Sequence, residues 1–284
     1  MKKVLMILLI AGLAILVLMP KNEAVSLTQN AKAAIILNAS TGKIIYEDNS
    51  KTALPIASLS KMMTQYIVLN AIEDGRISWD SLYTPSTAAL NQPANAVKLD
   101  MQSGDTYTVN ELFTAMTVIS ANDAAIALAE VVSGSEELFV EEMNNYAEKI
   151  GLDQTHFINA TGLDEDETNL ASARDVAAIA SVLIEEHPEV LQFTSLTDFT
   201  TSAGVKRWST NLMLPGMPEA MIGMDGLKTG YTELAESCFA STGVYNGERV
   251  ITVVIGVTAD GDDTIKPRFE LTRELIDSYV LSQQ

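Results

Sequence analysis

The chain has 284 residues, 47% of them hydrophobic, and its 37 acidic against 18 basic residues give a net charge of −19. That length can bury a full core in one large domain or two subdomains, and that charge argues against nucleic acid and an anionic membrane surface as partners. The single cysteine, Cys238, excludes an internal disulfide and thiolate metal clusters. The two histidines, His156 and His187, lack a His-Glu-x-x-His or comparable spacing, which disfavours a zinc or Ser-His-Asp enzyme, and no cofactor is expected.

Lys2 and Lys3 precede an unbroken apolar run over residues 4–19 that ends at Pro20-Lys21-Asn22-Glu23, the pattern of an export signal. The run is longer than a usual signal core and shorter than a spanning helix. Residues 1–26 therefore read as a cleaved leader or a retained N-terminal membrane anchor, with residues 27–284 as one domain working outside the cytoplasm. Residues 33–47 read as a hairpin turning at Thr41-Gly42. From 59 to about 73, the spacing of Leu59, Met62, Met63, Tyr66, Ile67 and Leu69 predicts a largely buried helix with Ser58 in its first turn. Residues 78–101, rich in Thr, Ser, Asn and Pro, read as irregular surface chain. Helices are expected over 109–119, 124–132 and 136–150, the last ending near Gly151. A further helix over 172–186 opens on Ser172 with Asp175 three residues on, close to a capping box, and stops at His187-Pro188. Between these, Asp164-Glu165-Asp166-Glu167 reads as a solvated loop.

The last third changes character. Residues 236–244 and 249–257 are strand-like, and the Asn246-Gly247 pair between them favours a tight hairpin. Residues 250–255 are apolar on both faces, as a central strand requires, and 268–280 form a closing amphipathic helix. Strands at both ends with helices between predict an α+β fold: an antiparallel sheet built from both chain ends, flanked by helices, with a helical insertion over roughly 74–190.

Ser58 and Lys61 stand three apart on the predicted helix and can touch. A serine hydroxyl needs a base to become a nucleophile, and a neutral lysine amine can be that base; the helix N-terminus adds partial positive charge where an oxyanion would form. A second Ser-x-x-Lys, Ser40 to Lys43, falls in the hairpin turn, where a solvated lysine has no reason to be neutral. Ser120-Ala121-Asn122 lies at a break between helices. It offers a hydroxyl to relay a proton and an amide to hold a carbonyl, or alternatively a helix cap; Ser209-Thr210-Asn211 matches the same pattern. In Lys228-Thr229-Gly230 the cation and hydroxyl can bind a carboxylate, Gly230 allows a peptide close to the strand edge, and the Tyr231 N–H can donate to an oxyanion. Cys238, in the run Cys238-Phe239-Ala240, reads as a small core residue.

In this order, Ser-x-x-Lys, Ser-x-Asn and Lys-Thr-Gly resemble the signature of penicillin-binding proteins and serine β-lactamases. The chain resembles the low-molecular-mass penicillin-binding proteins that act as serine-type D-alanyl-D-alanine carboxypeptidases. The likeness runs from about residue 31 to 279 and includes Phe157-Ile158-Asn159 with Gly162-Leu163, Ser172-Ala173-Arg174-Asp175, and Asp225-Gly226-Leu227-Lys228-Thr229-Gly230-Tyr231-Thr232. The resemblance implies a β-lactamase/transpeptidase-like fold. It also implies Ser58 as acylated nucleophile, Lys61 as base, Ser120 as proton relay and Asn122 as a substrate-holding amide. Lys228 and Thr229 would hold the substrate carboxylate, and the N–H groups of Ser58 and Tyr231 would form an oxyanion hole. Arg268 is a candidate second carboxylate contact or a structural surface arginine. The implied partners are a peptidoglycan stem peptide ending in D-Ala-D-Ala and β-lactams as inhibitors, with membrane contact only through the N-terminal segment. Two departures stand out. Ala235-Glu236 replaces a usual Ala-Gly, and the β-rich second domain and C-terminal anchor of many relatives are expected to be missing. Glu165 and Asn169 have a spacing found in class A-like β-lactamases, the nearest rival; a non-catalytic wall-peptide binder is the other.

Overall fold

In the computed structural model, which describes residues 30–258 and 263–282, Ala33–Asn38 (β1) and Ile44–Asp48 (β2) form the opening hairpin, with Gly42 at φ 70 in its turn. The expected leader or anchor over residues 1–26 lies outside the described residues. After the short strand Leu54–Pro55 (β3), a single 3₁₀ turn, Ala57–Ser60, leads into Lys61–Glu73 (α1). Ser58 therefore sits on a 3₁₀ turn rather than in the first turn of the α-helix. The helical region follows: Leu82–Tyr83 (β4), Thr87–Leu90 (α2), Tyr107–Thr108 (β5), Val109–Val118 (α3), Asn122–Ser133 (α4), Glu136–Lys149 (α5), Leu170–Ala171 (β6) and Ala173–Glu186 (α6). Ser172 caps α6 by accepting from the Asp175 N–H at 3.1 Å. Val190–Thr194 (α7) and the small hairpin of Asp198–Thr200 (β7) with Lys206–Trp208 (β8), neither foreseen from sequence, lead to Met224–Thr232 (β9), Glu236–Tyr245 (β10), Glu248–Val257 (β11) and Pro267–Ile276 (α8).

The main sheet is antiparallel, in the order β2-β1-β11-β10-β9, and is indeed assembled from the two ends of the described chain. β11 is its middle strand and has two apolar faces because both are covered. Ile251, Val253 and Ile255 join the large core beneath the helices, while Val250 and Val254 pack with Phe269 and Leu275 of α8 on the opposite face. β1 divides in the same way, Ala33 and Ile35 to one side, Ala34 and Ile36 to the other. α1 lies inside the helical layer and is buried at ten of its thirteen positions, which takes Lys61, Thr64 and Gln65 inside with the apolar residues.

Cys238 is fully buried, and burial pushes its thiol up to about 11, as befits a core residue. His187 is buried, with its ring nitrogens 2.8 Å from Asn70 Oδ1 and 3.3 Å from Glu189 Oε1, a structural histidine. Where a glycine is usual in the resembling family, Glu236 itself takes the left-handed conformation (φ 57), pairs with Lys32 at 3.3 Å and keeps the register of β10 on β9. Among the described residues no helix is long and apolar enough to cross a membrane.

The β10–β11 turn places Asn246 at φ 53 and Gly247 at φ 83, the two positive angles that a tight two-residue hairpin requires. A Cβ on Gly247 would meet nothing within 4 Å, so backbone strain alone would act there. Gly247→Ala should lower unfolding free energy by about 1 kcal/mol in a urea titration, with an unchanged slope.

Candidate active site

Ser58 is held on a turn that the backbone does not adopt readily. Ala57, fully buried, has φ 47, a left-handed conformation that a residue with a Cβ keeps only when its surroundings impose it. Ser60 Oγ donates to the Ala57 carbonyl at 2.7 Å, and the Leu59 N–H donates to that of Ile56 at 3.1 Å. Two glycines close in from outside. A Cβ on Gly162, itself at φ 78, would lie 2.1 Å from the Ala57 carbonyl oxygen, and one on Gly230 would lie 3.2 Å from the Ser58 nitrogen. Both are glycine because two backbone segments, the 157–163 loop and β9, press directly on the turn that carries Ser58.

Lys61 opens α1 and is fully buried. Its Nζ lies 2.9 Å from Ser58 Oγ and 2.8 Å from Asn122 Oδ1, and it donates to the Thr161 carbonyl. Burial, and then the charge of Lys228, hold its pKa well below the ordinary lysine value, against a weaker opposite pull from Glu136 and Asp123. A neutral amine has two N–H donors and one lone pair. The Thr161 carbonyl can only accept, and Asn122 Oδ1 faces Lys61 because its own Nδ2 donates to the Val97 carbonyl at 3.0 Å. Both N–H groups are thereby taken, and the lone pair is left for the Ser58 hydroxyl.

The opposite wall is β9, one of the two edge strands of the main sheet. Lys228 is buried there, its Nζ donating to the Thr229 carbonyl at 2.9 Å, and burial followed by the Arg268 charge brings its pKa to about 7. Thr229 Oγ1 donates to Thr210 Oγ1 at 2.7 Å. Arg268 is a buried arginine rather than a surface one: its guanidinium donates to the carbonyls of Gly230 (2.7 Å), Cys238 (3.2 Å) and Ile265 (2.9 Å), tying α8 to the two last sheet strands on that side. Burial lowers its pKa to about 10, which leaves it charged. A cavity of about 410 Å³ lies between these walls, lined by Ser58, Ser120, Asn122, Thr229, Tyr231 and Arg268, with apolar cover from Val97, Leu163, Leu212 and Ile265. A larger hollow of about 570 Å³, between residues 99–107 and 201–207, contains none of the groups singled out from sequence.

Ser120 lines the cavity at φ 66, between α3 and α4, and is not the cap of α4: Ala121 holds that position, without a side-chain bond. Ser40 and Lys43 lie in the β1–β2 turn, away from this cavity. In the second Ser-x-Asn, Asn211 is buried in structural bonds to Met213 N and Gly226 O, whereas Thr210, the residue between, reaches the site. Thr210, the Thr161 carbonyl and the Val97 carbonyl were not singled out from sequence; two act through backbone atoms, for which side-chain patterns provide no signal. Asn169 is fully buried with its amide committed to Ser60 and Asn159, and Glu165 is exposed; neither lines the cavity. Among the described residues no group of three His, Cys, Asp or Glu side chains is placed to hold a metal ion.

On this sheet-and-helix fold, a serine hydroxyl thus lies 2.9 Å from a buried amine whose pKa is held well below the ordinary lysine value. The chain belongs to the D-alanyl-D-alanine carboxypeptidase family, peptidase family S11, which its residues 20–259 match. It is 35% identical over 242 residues to the D-alanyl-D-alanine carboxypeptidase DacF of Bacillus subtilis, covering 82% of this chain and 59% of DacF. Its fold is similar to that of PBP3, a peptidoglycan synthesis regulatory factor from Streptococcus pneumoniae (TM-score 0.83, 40% identity, 88% of this chain and 71% of that one). It is likewise similar to penicillin-binding protein D2 from Listeria monocytogenes in its cefotaxime-bound form (TM-score 0.78, 38% identity, 87% and 96%). The chain spans less than two thirds of the length of DacF and of two further curated carboxypeptidases it matches.

The Lys228 charge depresses the Lys61 pKa, so its removal must raise it. In Lys228→Met the acid limb of the pH–rate profile for Ser58 acylation should move to higher pH, most visibly below about pH 7, where Lys228 is protonated. An unmoved limb would show that the two amines do not interact.

Proposed function

We propose that this chain is a serine-type D-Ala-D-Ala carboxypeptidase, working outside the cytoplasm on peptidoglycan stem pentapeptides and acylated by penicillins. The observation behind this reading is the Lys61 amine, 2.9 Å from Ser58 Oγ with its other contacts made to two oxygen acceptors. The Ser58 oxygen attacks the carbonyl between the two terminal D-alanines while its proton passes to Lys61. The N–H groups of Ser58 and Tyr231 receive the oxyanion. Collapse breaks the C–N bond, the leaving amine takes a proton through the Ser120 hydroxyl, and D-alanine departs. Lys228 and Thr229, with Thr210 behind, hold its carboxylate. Asn122 orients Lys61 and keeps a second amide N–H for a substrate carbonyl. Water then attacks the acyl-enzyme, with Lys61 again as base, and Ser58 is restored.

The family match and the drug-bound forms of the Listeria relative, one with cefotaxime and one with ampicillin, support the reading. The committed amide of Asn169 and the place of Glu165 outside the cavity weigh against a β-lactamase, which needs a carboxylate aimed at the deacylating water. The complete set of polar groups weighs against a pure binder.

Incubation of purified protein with a pentapeptide ending in D-Ala-D-Ala should release one D-alanine per peptide; a folded protein that releases none overturns the assignment. Fluorescent penicillin should label Ser58 and persist, whereas rapid turnover would favour the β-lactamase. Lys61→Arg, which cannot deprotonate, should keep its circular dichroism spectrum and lose acylation by about 10²–10⁴-fold. Labelling at the wild-type rate would refute Lys61 as the base.

A further inference from the structure

Beneath the nucleophile lies a buried chain of hydrogen bonds made by side chains with no part in the reaction steps above. Asn169 is fully buried. Its Nδ2 donates to Ser60 Oγ and to the Asn159 carbonyl, both at 2.9 Å, and its Oδ1 accepts from the N–H groups of Ile158 (2.7 Å) and Asn159 (3.2 Å). Ser60, also fully buried, passes the connection on by donating to the carbonyl of Ala57, the left-handed residue just before Ser58. The Asn169 carbonyl accepts from the Ile56 N–H at 3.2 Å and holds the same turn from its other side.

Asn159 carries the network in the opposite direction. Its Oδ1 accepts from the Gly162 N–H at 2.7 Å and from the Thr161 hydroxyl at 3.2 Å, folding the tight turn from which the Thr161 carbonyl receives a Lys61 N–H. One amide side chain thus reaches both members of the reacting pair. Through Ser60 it governs where the Ser58 oxygen sits, and through Asn159 it governs the acceptor that takes an N–H of Lys61 and so aims the lone pair.

We propose that Asn169, acting through Ser60 and Asn159, is a positioning residue that sets the Ser58 hydroxyl against the Lys61 lone pair. This role rests on the acyl-transfer reading above. The Ala57 conformation persists only while its neighbours impose it, and misplacing reacting groups by about 1 Å costs on the order of 10²-fold in rate. Loosening the chain of bonds therefore slows the chemical step while the cavity that receives the ligand keeps its lining.

The test uses the full chain, fluorescent penicillin, and separate measurement of the pre-acylation dissociation constant and the first-order acylation constant. Ser60→Ala deletes one hydroxyl and leaves Asn169 in place. Its acylation constant should fall about 10-fold or more, with the dissociation constant moving less than about 3-fold. Asn169→Ala should fall at least as far, and the double variant no further than Asn169→Ala alone, because both act through one chain of bonds. Thermal melts confirm that each variant is folded at the assay temperature; if Asn169→Ala is not, Ser60→Ala decides. A folded Ser60→Ala protein that acylates within about two-fold of wild type overturns the positioning role, as does a change confined to the dissociation constant. Wild-type protein that takes no penicillin overturns the acyl-transfer reading, and the positioning role with it.

Discussion

An ammonium ion at the position of Lys61 Nζ would have to give up its hydration inside the protein, with another cationic side chain near enough to repel it. Burial and the Lys228 charge therefore both push the amine toward its uncharged form, and the rest of the site is arranged consistently with that. Neutrality needs burial, so the turn carrying Ser58 and Lys61 lies where the helical layer meets the sheet, and α1 is covered on nearly all sides. A neutral amine also has a direction, which an ammonium lacks. Two acceptors from distant parts of the chain, Asn122 of α4 and the carbonyl of Thr161, point it at Ser58. The Ser58–Lys61 pair is thus local in sequence, while its orientation is a property of the whole fold.

The same dependence appears in the backbone. Ala57 and Ser120 both take left-handed conformations that a side chain disfavours, and they stand next to or at the two serine hydroxyls of the cleft. Glycine would adopt these angles more easily but would leave the turn free to leave them. Another such residue, Asp100, follows the wall of the cavity that residues 95–97 form. Its N–H donates to Asp123 at 3.0 Å, and the same carboxylate holds the Leu99 N–H at 2.8 Å. Asp123 directly follows Asn122, so one turn of α4 anchors the chain beside that wall and contacts the Lys61 amine. Burial raises the Asp123 pKa, against the four backbone N–H groups that favour its charged form.

Much of this architecture was legible in the sequence, and the exceptions share a cause. The hairpins, α1 and the middle strand declare themselves through periodicity and turn chemistry, because the side chains that set these elements are the ones that bury them. β9 is harder to read. Gly226, Lys228 and Gly230 look unlike a strand because this edge strand is built to lie close to other backbone and to present polar groups to a cleft. The β7–β8 hairpin is short and has no fully buried strand residue, so no burial pattern marks it. Ser58, Lys61, Ser120, Asn122, Lys228 and Thr229 were identifiable because their chemistry resides in side chains at short, fixed spacings. Thr161, Val97, Ser60 and Asn169 act through carbonyls or through bonds spanning tens of residues, and such pairings exist only once the chain has folded. Asn169 reads from sequence as one half of a Glu-x-x-x-Asn spacing with Glu165, yet its amide is committed to Ser60 and Asn159 and it does not line the cavity.

The charge distribution completes the argument. The molecule carries a net charge of −19, yet it buries Lys61, Lys228 and Arg268 around one cleft. Buried cations without carboxylate partners are costly, and the three meet that cost differently. The lysines can release protons, Lys61 well below its usual range and Lys228 at about 7. Arginine cannot do so at neutral pH; Arg268 instead directs its N–H groups to three backbone carbonyls and remains charged. Its fixed charge is among the causes that depress Lys228, and Lys228 in turn depresses Lys61. The two steps oppose each other: by favouring a neutral Lys228, the permanent charge of Arg268 weakens the push of Lys228 on Lys61, which is strongest below about pH 7, where Lys228 is protonated.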